Sequence, residues 1–464
     1  MAERFDMVVI GSGPAGEKGA AQAAYHGYKV AMVERSSLCG GAAVNTAGIP
    51  TKTLRESASY LTGFGRRDIY GVAPNLDAVD IVTLMRGRTA HVIETMDETV
   101  RKNIERHGIE LIPGRAHLSS PRSVEVALND GTKRELEAGV ILIATGSRPS
   151  HPPQVPWGDE DVLDSEEVLE LDGPFNSLVV IGGSTVGCEY ASIFAAAGVA
   201  VTLVDRNDRL VRFCDGEISD LLAQSFRAAG MRVVLGGRVR PVIARGSSGL
   251  EVRLADGEVL RPDKVFYSAG RTGNTENLGL ERVGVDLDPK GRIVVDETFR
   301  TSVAGIYAAG DVIGPPSLAS VSMEQGRVAV CYAFGISFKD TVDPVAPLGV
   351  YSIPEVAMCG LTEDVARSRG LNVEVGRGWF ENNSRAVIAG STEGLVKLVF
   401  DRADRRLLGV HILCEGAGEL VHLGQAVIQL GGQIDHFIHS TFNVPTRSDA
   451  YKYAAYDGLT RIGK

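Results

Sequence analysis

The sequence predicts an α/β fold built on two copies of one βαβ unit, and three observations carry that expectation. The segments Val8–Arg35 and Val179–Arg206 align without a gap at a constant offset. Each copy reads as an apolar run, a glycine turn, an Ala-rich stretch, a turn glycine and a second apolar run ending in an acid. That is the order strand, turn, helix, turn, strand. The chain also holds 55 glycines among 464 residues, and glycine concentrates where a backbone must turn sharply or come close to a partner. At roughly 150 residues per domain the length corresponds to about three domains.

In the first copy Val8-Val-Ile leads into Gly11-Ser-Gly-Pro-Ala-Gly16. Gly11 makes the tight turn, Gly13 lets the backbone approach a pyrophosphate, and Gly16 lets the helix pack against the strand. The helix N-terminus then offers free N–H groups to phosphates. Glu34 stands about 20 residues further on, where an acid accepts hydrogen bonds from ribose hydroxyls. Strand, helix, second strand and terminal acid agree, so the unit reads as a Rossmann-like dinucleotide-binding turn.

In the second copy Gly182 matches Gly11, Gly187 matches Gly16, Gly198 matches Gly27, and Asp205-Arg206 matches Glu34-Arg35. The middle glycine is Ser184, in Gly182-Gly-Ser-Thr-Val-Gly187. Serine allows less backbone approach, and Gly183 beside it relieves some of the crowding. Asp205 suits a free ribose 2′-OH, as in NAD, while Arg206 suits a 2′-phosphate, as in NADP, so the pair leaves both open. Two such turns imply two dinucleotides, most economically a tightly held FAD and an exchangeable nicotinamide nucleotide.

Composition narrows the function class. Hydrophobic residues make up 44% and charged residues 23%, an ordinary globular balance. With 48 Lys+Arg against 58 Asp+Glu, the formal net charge is −10, and no basic surplus exists to meet nucleic acid or an anionic membrane. Cys39, Cys188, Cys214, Cys331, Cys359 and Cys414 are scattered, with no CxxC pair. Neither a metal centre nor a disulfide framework is expected. Met1-Ala-Glu-Arg runs straight into Met7–Ile10 without an apolar leader, and the run near Ala191–Val204 is too short to span a bilayer. The expectation is a cytoplasmic protein.

On these motifs the chain resembles the flavoprotein pyridine nucleotide–disulfide oxidoreductases over essentially its whole length. The likeness rests on the first glycine turn, Gly40-Gly41, Ile49-Pro-Thr-Lys52, Ala144-Thr-Gly-Ser-Arg-Pro149, the second turn with Glu189, and Gly305-Ile-Tyr-Ala-Ala-Gly-Asp311. It implies a glutathione reductase-like α/β architecture: two Rossmann-like dinucleotide-binding domains plus a C-terminal α+β dimerisation domain. FAD would be bound by residues 1–150 and 276–345, the nicotinamide nucleotide by 151–275, and 346–464 would form the interface of a homodimer, with larger assemblies also open. For FAD the resemblance implies Gly11, Gly13, Pro14, Ala15, Gly16, Glu34, Arg35, Gly41, Lys52, Thr145, Gly146, Gly310 and Asp311. For NAD(H) and NADP(H) it implies Gly182, Ser184, Thr185, Val186, Gly187, Glu189, Asp205, Arg206, Gly270 and Arg271.

The chain departs from the family at two places. The positions of the two redox cysteines after the Gly-Gly pair are Ala43 and Gly48. Near the C-terminus, where the family has a His before Pro-Thr and a Glu further on, this chain has Val444 and Asp449; His436 and His439 are out of register. Cys39, just before Gly40, has no partner at the right spacing and reads as a small core or loop residue. Dithiol and acid–base partner are missing together, so electrons must leave from the flavin itself. The subgroup most similar in Ile181–Phe194, Gly270-Arg-Thr-Gly-Asn274 and Thr441-Phe-Asn-Val-Pro-Thr446 is the soluble, Si-specific NAD(P)+ transhydrogenases.

The resemblance then implies FAD-dependent hydride transfer from NADPH to flavin N5 and on to NAD+, one site used twice in ping-pong order, with no dithiol. Lys52 and Glu189 are the candidate catalytic residues, an ion pair near N5 that meets negative charge arriving on the ring; a plain structural pair is the alternative. Thr185, where some relatives place a tyrosine, would keep the nicotinamide pocket open. An NAD(P)H dehydrogenase passing electrons to quinones or other diffusible acceptors fits Gly40-Gly-Ala-Ala-Val44 equally well. A non-catalytic flavin-based redox sensor is opposed by the retention of both turns, Lys52 and Glu189.

Overall fold

Period-two and continuous apolar runs become strands here because both faces of each parallel sheet are covered. The computed structural model describes residues 2–63, 81–171, 173–236, 242–246, 249–268 and 270–463. It divides into two compact units. The first comprises Met1–Thr53, Gly87–Ser150 and Gly270–Asp343, and the second Leu54–Arg86, His151–Ala269 and Pro344–Lys464.

In the first unit the strand Glu3–Ile10 lies between two parallel neighbours, with Met7 opposite Val30 on Val30–Glu34 and Val8 opposite Ile141 on Lys133–Ile143. Glu110–Ser120 extends the sheet beyond Val30–Glu34, and Ile306–Ala308 extends it beyond Lys133–Ile143, both in parallel. Ser123–Leu128 joins Glu110–Ser120 to Lys133–Ile143 by antiparallel pairing. Met7, Val8, Val9, Ile141, Leu142 and Ile143 are completely buried. The strand order therefore places the carboxyl ends of Glu3–Ile10 and Val30–Glu34 side by side, where ligands bind in open parallel sheets.

The second unit repeats that arrangement. Five parallel strands run in the order Arg232–Leu235, Ala200–Asp205, Ser177–Ile181, Lys264–Tyr267, Val162–Leu163. A small antiparallel sheet of Val242–Gly246, Gly249–Arg253 and Val259–Leu260 follows the chain between them. The C-terminal part is an antiparallel sheet ordered Leu348–Val350, Glu355–Gly360, Leu407–Cys414, Leu395–Asp401, Val373–Trp379. Its strands alternate and are backed by Ala417–Gln429 and Ala450–Arg461. The helix Ala450–Arg461 comes so close that a side chain at Gly376 would lie 2.0 Å from the carbonyl oxygen of Ala454, and one at Gly378 2.1 Å from that of Ala450. Glycine on that strand sets the helix-to-sheet distance.

All six cysteines are buried, and no disulfide joins them. Among the described residues no helix is long and apolar enough to cross a membrane, and no group of His, Cys, Asp and Glu could hold a metal ion.

His411, on Leu407–Cys414, is buried and its Nε2 donates to the carbonyl of Leu361 at 2.9 Å. Burial lowers its pKa below the ordinary 6.5; Asp215 and Glu363 oppose that shift and Lys397 reinforces it. A depressed folded-state pKa means that the unfolded chain takes up a proton that the folded chain refuses. Stability is therefore full above the unfolded pKa near 6.5 and is lost as pH falls toward the folded one, by up to about 1.4 kcal/mol per pH unit. Thermal melts from pH 8 to pH 5 should show this decline, and His411→Asn should flatten it.

Candidate functional site: two glycine turns and a ring around Asp311

The two glycine turns have the same geometry, and it arises from the same crowding. Gly11 has φ +105° and Gly182 φ +112°, both in the region that favours glycine. A Cβ at Gly11 would sit 2.4 Å from the carbonyl oxygen of Ala144, and one at Gly182 2.2 Å from that of Ser268. A Cβ at Gly16 would lie 1.9 Å from the oxygen of Gly11, and one at Gly187 1.7 Å from that of Gly182. Each turn is thus pressed between the next strand and its own helix, Pro14–Tyr25 in one case and Thr185–Ala196 in the other. Pro14 occupies the first helical position, where its missing N–H costs nothing.

The departure at Ser184 has a local explanation. Ser184 has φ −84° and ψ −173°, close to the −65° and 178° of Gly13. Any residue adopts that extended conformation, so serine brings no backbone strain. Gly13 has a further reason to be glycine: it faces Gly41, whose own Cβ would come within 2.9 Å of the Gly13 Cα. In the second turn the spatial demand falls instead on Gly183, where a Cβ would meet Leu210 at 2.6 Å and the Asp205 carboxylate at 3.1 Å. Ser184 is exposed, with Thr185 and Val186 half-buried beside it.

Both terminal acids face their turns. Glu34 is buried; its Oε2 accepts from the Ser12 N–H at 2.9 Å and from the Ser12 hydroxyl at 2.7 Å, and its Oε1 accepts from the Ser36 N–H. The Ser12 hydroxyl also accepts from Gly40 N–H at 3.1 Å, tying the turn to the Gly40-Gly41 pair. Asp205 is buried as well, accepting from the Gly183 N–H through Oδ2 and from Asn207 through Oδ1 at 2.7 and 2.8 Å. The following arginines, Arg35 and Arg206, are exposed. Arg206 acts on Tyr267: burial raises the phenol's pKa and this guanidinium partly counters it.

A third constellation surrounds Asp311. Gly310 precedes it with φ +81°, held by its N–H to the Gln325 side chain at 2.8 Å; a Cβ there would press on Ala15 at 3.1 Å. The Ser147 hydroxyl donates to the Asp311 carboxylate at 2.7 Å, and Arg271 donates to that same hydroxyl at 2.8 Å while its guanidinium lies 3.9 Å from the carboxylate. Thr145 donates to the carbonyl of Asn274, whose amide donates back to the carbonyl of Thr145. Gly146, at φ +67°, accepts from the Asn274 N–H, and Gly270, at φ +116°, accepts from the Ser150 N–H. Arg271 thus lies beside Asp311 within the first unit, and Gly270 precedes it there. Ser12, Ser147, Gln325 and Asn274 were not singled out from sequence; Ser12, Ser147 and Asn274 stood inside quoted motifs, which was the available signal.

Positions 43 and 48 come together in space, and neither carries a thiol. A Cβ at Gly48 would lie 2.6 Å from the carbonyl oxygen and 3.2 Å from the Cα of Ala43. Just beyond, Thr51 donates to the carbonyl of Gly48 at 2.9 Å, and half-buried Lys52 donates from Nζ to the Thr51 hydroxyl at 3.2 Å. Cys39 is buried; burial pushes its thiol up, and its backbone N–H is held by Asp97, itself paired with Arg101. In the second unit Glu189 is 2% exposed, and its carboxylate accepts from the Tyr351 N–H at 2.9 Å. At the C-terminal signature Val444 is exposed, and the Asp449 carboxylate accepts from the Asn383 amide. Burial raises the pKa of Asp449. His439, at the end of Asp435–His439, is exposed.

Residues 5–326 match the family model described as pyridine nucleotide-disulphide oxidoreductase, and residues 346–455 match the dimerisation domain of the same family. The chain belongs to the pyridine nucleotide-disulphide oxidoreductase family. It is 42% identical over 462 residues to a soluble pyridine nucleotide transhydrogenase of Mycobacterium tuberculosis, covering 99% of this chain and 98% of that one. It is 37% identical over 465 residues to a protein of the same name from Vibrio vulnificus, covering 99% of each. Among solved structures it is similar to LpdA from Mycobacterium tuberculosis, with TM-score 0.89 and 27% identity over 98% of this chain and 99% of that one. The HOCl-induced flavoprotein disulfide reductase RclA from Escherichia coli gives TM-score 0.86 and 26% identity over 97% and 99%.

The family's cofactor is FAD. The first unit's residues fit it: at the N-terminus of Pro14–Tyr25 Gly13 and Gly41 pack backbone against backbone, so that a side chain at Gly41 would be excluded, and Glu34 and Asp311 bring carboxylates, which accept from hydroxyls, beside that turn. Placing a methyl group at Gly16 or Gly187 forces the helix off its strand, at a cost on the order of 1–3 kcal/mol. Gly16→Ala should therefore purify with FAD content well below one per chain, read from flavin absorbance. Gly187→Ala should stay yellow and lose flavin reduction by NADPH.

Proposed function

We propose that this chain is a FAD-dependent transhydrogenase that moves hydride between NADPH and NAD+ without a dithiol. The observation that carries the reading is the pair Ala43 and Gly48: the family's thiol positions hold no sulfur, and Gly48 has no room for a side chain. The names of the full-length relatives support the same reaction. When bound, FAD supplies a two-electron acceptor and donor at N5, used first by NADPH and then by NAD+ in ping-pong order.

The protein's share is alignment and charge. The first turn, with Glu34 and Asp311, fixes the flavin nucleotide. The second turn presents the N–H groups of Thr185–Ala196 to a nucleotide pyrophosphate. Asp205 and Arg206 serve the adenosine ribose, the acid toward a free 2′-OH and the base toward a 2′-phosphate, and admission of both nucleotides suits a site that must take each in turn. Thr185 leaves the pocket open to exchange. Lys52 provides a cation for negative charge developing on the ring, and Glu189 is the second residue we assign to the reaction. Val444 cannot carry a proton, which is consistent with a reaction that needs no thiol acid–base partner. A homodimer formed through residues 346–455 and a cytoplasmic location complete the proposal.

Anaerobic reduction with one equivalent of NADPH, followed by thio-NAD+, tests the reaction. Flavin should reoxidise rapidly with formation of thio-NADH. Flavin that stays reduced with thio-NAD+ yet is reoxidised by a quinone would instead make the protein a quinone-reducing dehydrogenase. Lys52→Met should slow reduction by NADPH about 100-fold while changing nucleotide affinity little, measured by stopped-flow at varied NADPH. An unchanged limiting rate would remove Lys52 from the mechanism.

A further inference from the structure

The loop 206–214, between the strand ending in Asp205 and the helix Gly216–Ala228, is folded back on the second glycine turn. Val211 donates its N–H to the carbonyl of Gly183 at 2.7 Å, Gly183 donates its own N–H to Asp205, and Leu210 fills the space a side chain at Gly183 would need. Val211 is fully buried with φ +39°. A β-branched residue in that region is strained, and such strain persists only where the surroundings hold the chain at both ends. One hold is the Gly183–Asp205 contact. The other is at Asp215.

Asp215 caps the helix Gly216–Ala228 by accepting from the Glu217 N–H at 3.1 Å. Its carboxylate is also 2.8 Å from Lys397 Nζ, on the strand Leu395–Asp401 of the C-terminal antiparallel sheet. The Lys397 side chain is only 3% exposed and meets two more carboxylates, Glu363 at 2.7 Å and Glu217 at 3.1 Å. Arg377, paired in register with Lys397 on the next strand, grips Glu217 through Nε and a terminal nitrogen at 2.7 and 2.9 Å. Three carboxylates thus converge on one buried ammonium. Removing it would leave them facing one another without their central charge, and losing one partner of a buried ionic group is far costlier than the pair is favourable.

We propose that Lys397 is a positioning residue for pyridine-nucleotide binding: by anchoring Asp215 it holds the strained loop 206–214 against the glycine turn, in the shape that receives the adenosine ribose. The inference rests on the reading that the second turn binds the pyridine nucleotide. The chain of contacts runs from Lys397 through Asp215 and the loop to Gly183 and Asp205, so its effect falls on the adenosine half and not on the nicotinamide half.

The test uses the FAD-loaded protein and two fragments, 2′,5′-ADP and nicotinamide mononucleotide, titrated by calorimetry beside steady-state kinetics. Wild type must bind 2′,5′-ADP, with Gly187→Ala weakening it; absence of that binding sinks the reading of the second turn and not the anchor alone. Lys397→Met should raise KM for both NADPH and NAD+ at least tenfold with kcat within twofold, and weaken 2′,5′-ADP by the same factor. Nicotinamide mononucleotide should compete as in wild type. Lys397→Arg should recover most of the loss. Unchanged KM in yellow Lys397→Met protein, or equal weakening of both fragments, overturns the proposal. Should Lys397→Met yield no holoprotein, Asp215→Asn, which keeps the helix cap and drops the charge, is read in the same way, and wild-type affinity there also overturns it.

Discussion

The distance between a glycine carbonyl and the helix that follows it is the constraint on which this structure depends. At Gly16 and Gly187 the helices pass so close to the carbonyls of Gly11 and Gly182 that a Cβ would lie 1.9 and 1.7 Å from those oxygens. That closeness points the free N–H groups of each helix at the space above the turn, and it sets the strand–helix spacing from which each parallel sheet is covered. Once the turn is pinned, the neighbouring strand must end in an acid within reach of it, and Glu34 and Asp205 do so through Ser12 and Gly183. The same rule operates without any ligand in the C-terminal sheet, where Gly376 and Gly378 admit Ala450–Arg461.

This is why the two turns were legible in the sequence. A position where no Cβ fits accepts one residue type, so the steric demand is written directly as Gly11, Gly16, Gly182 and Gly187. Ser184 looked like a weakness in the second turn only because spacing does not reveal dihedral angles. In an extended conformation serine is as suitable as glycine, and the tight spot had moved to Gly183. The missing thiols were legible too, since Ala43 and Gly48 can be compared with a pattern of residue types. The family match over 5–326 and 346–455 agrees with the resemblance those motifs carried.

What stayed hidden consists of polar partners joined across long stretches of chain. Ser147 and Asp311 are 164 residues apart, Asn274 and Thr145 129, and Lys397 and Asp215 182. Serine, asparagine and lysine are common surface residues, and nothing in their local spacing announces that one of them will be buried against a carboxylate. Arg271 shows the same: its motif marked it as a cofactor contact, but only the antiparallel pair Ser147–Pro149 with Arg271–Gly273 brings it to Ser147 and Asp311. Charged residues in the second unit deserve the same lesson: with a formal net charge of −10, the chain still gathers three carboxylates around Lys397, because pairing and burial, not overall balance, decide where charge is tolerated.

The crowding at Gly48 bears on what chemistry this loop can be given. Disulfide chemistry would need cysteine at both 43 and 48, and the second cannot be accepted until the carbonyl of Ala43 withdraws. Cysteine at 43 alone gives a solitary thiol with no partner, and cysteine at 48 alone strains the turn that leads into the helix Ile49–Thr62. As the backbone between Gly41 and Ile49 stands, the two thiol positions cannot be refilled by exchanging side chains alone; the main chain itself has to move.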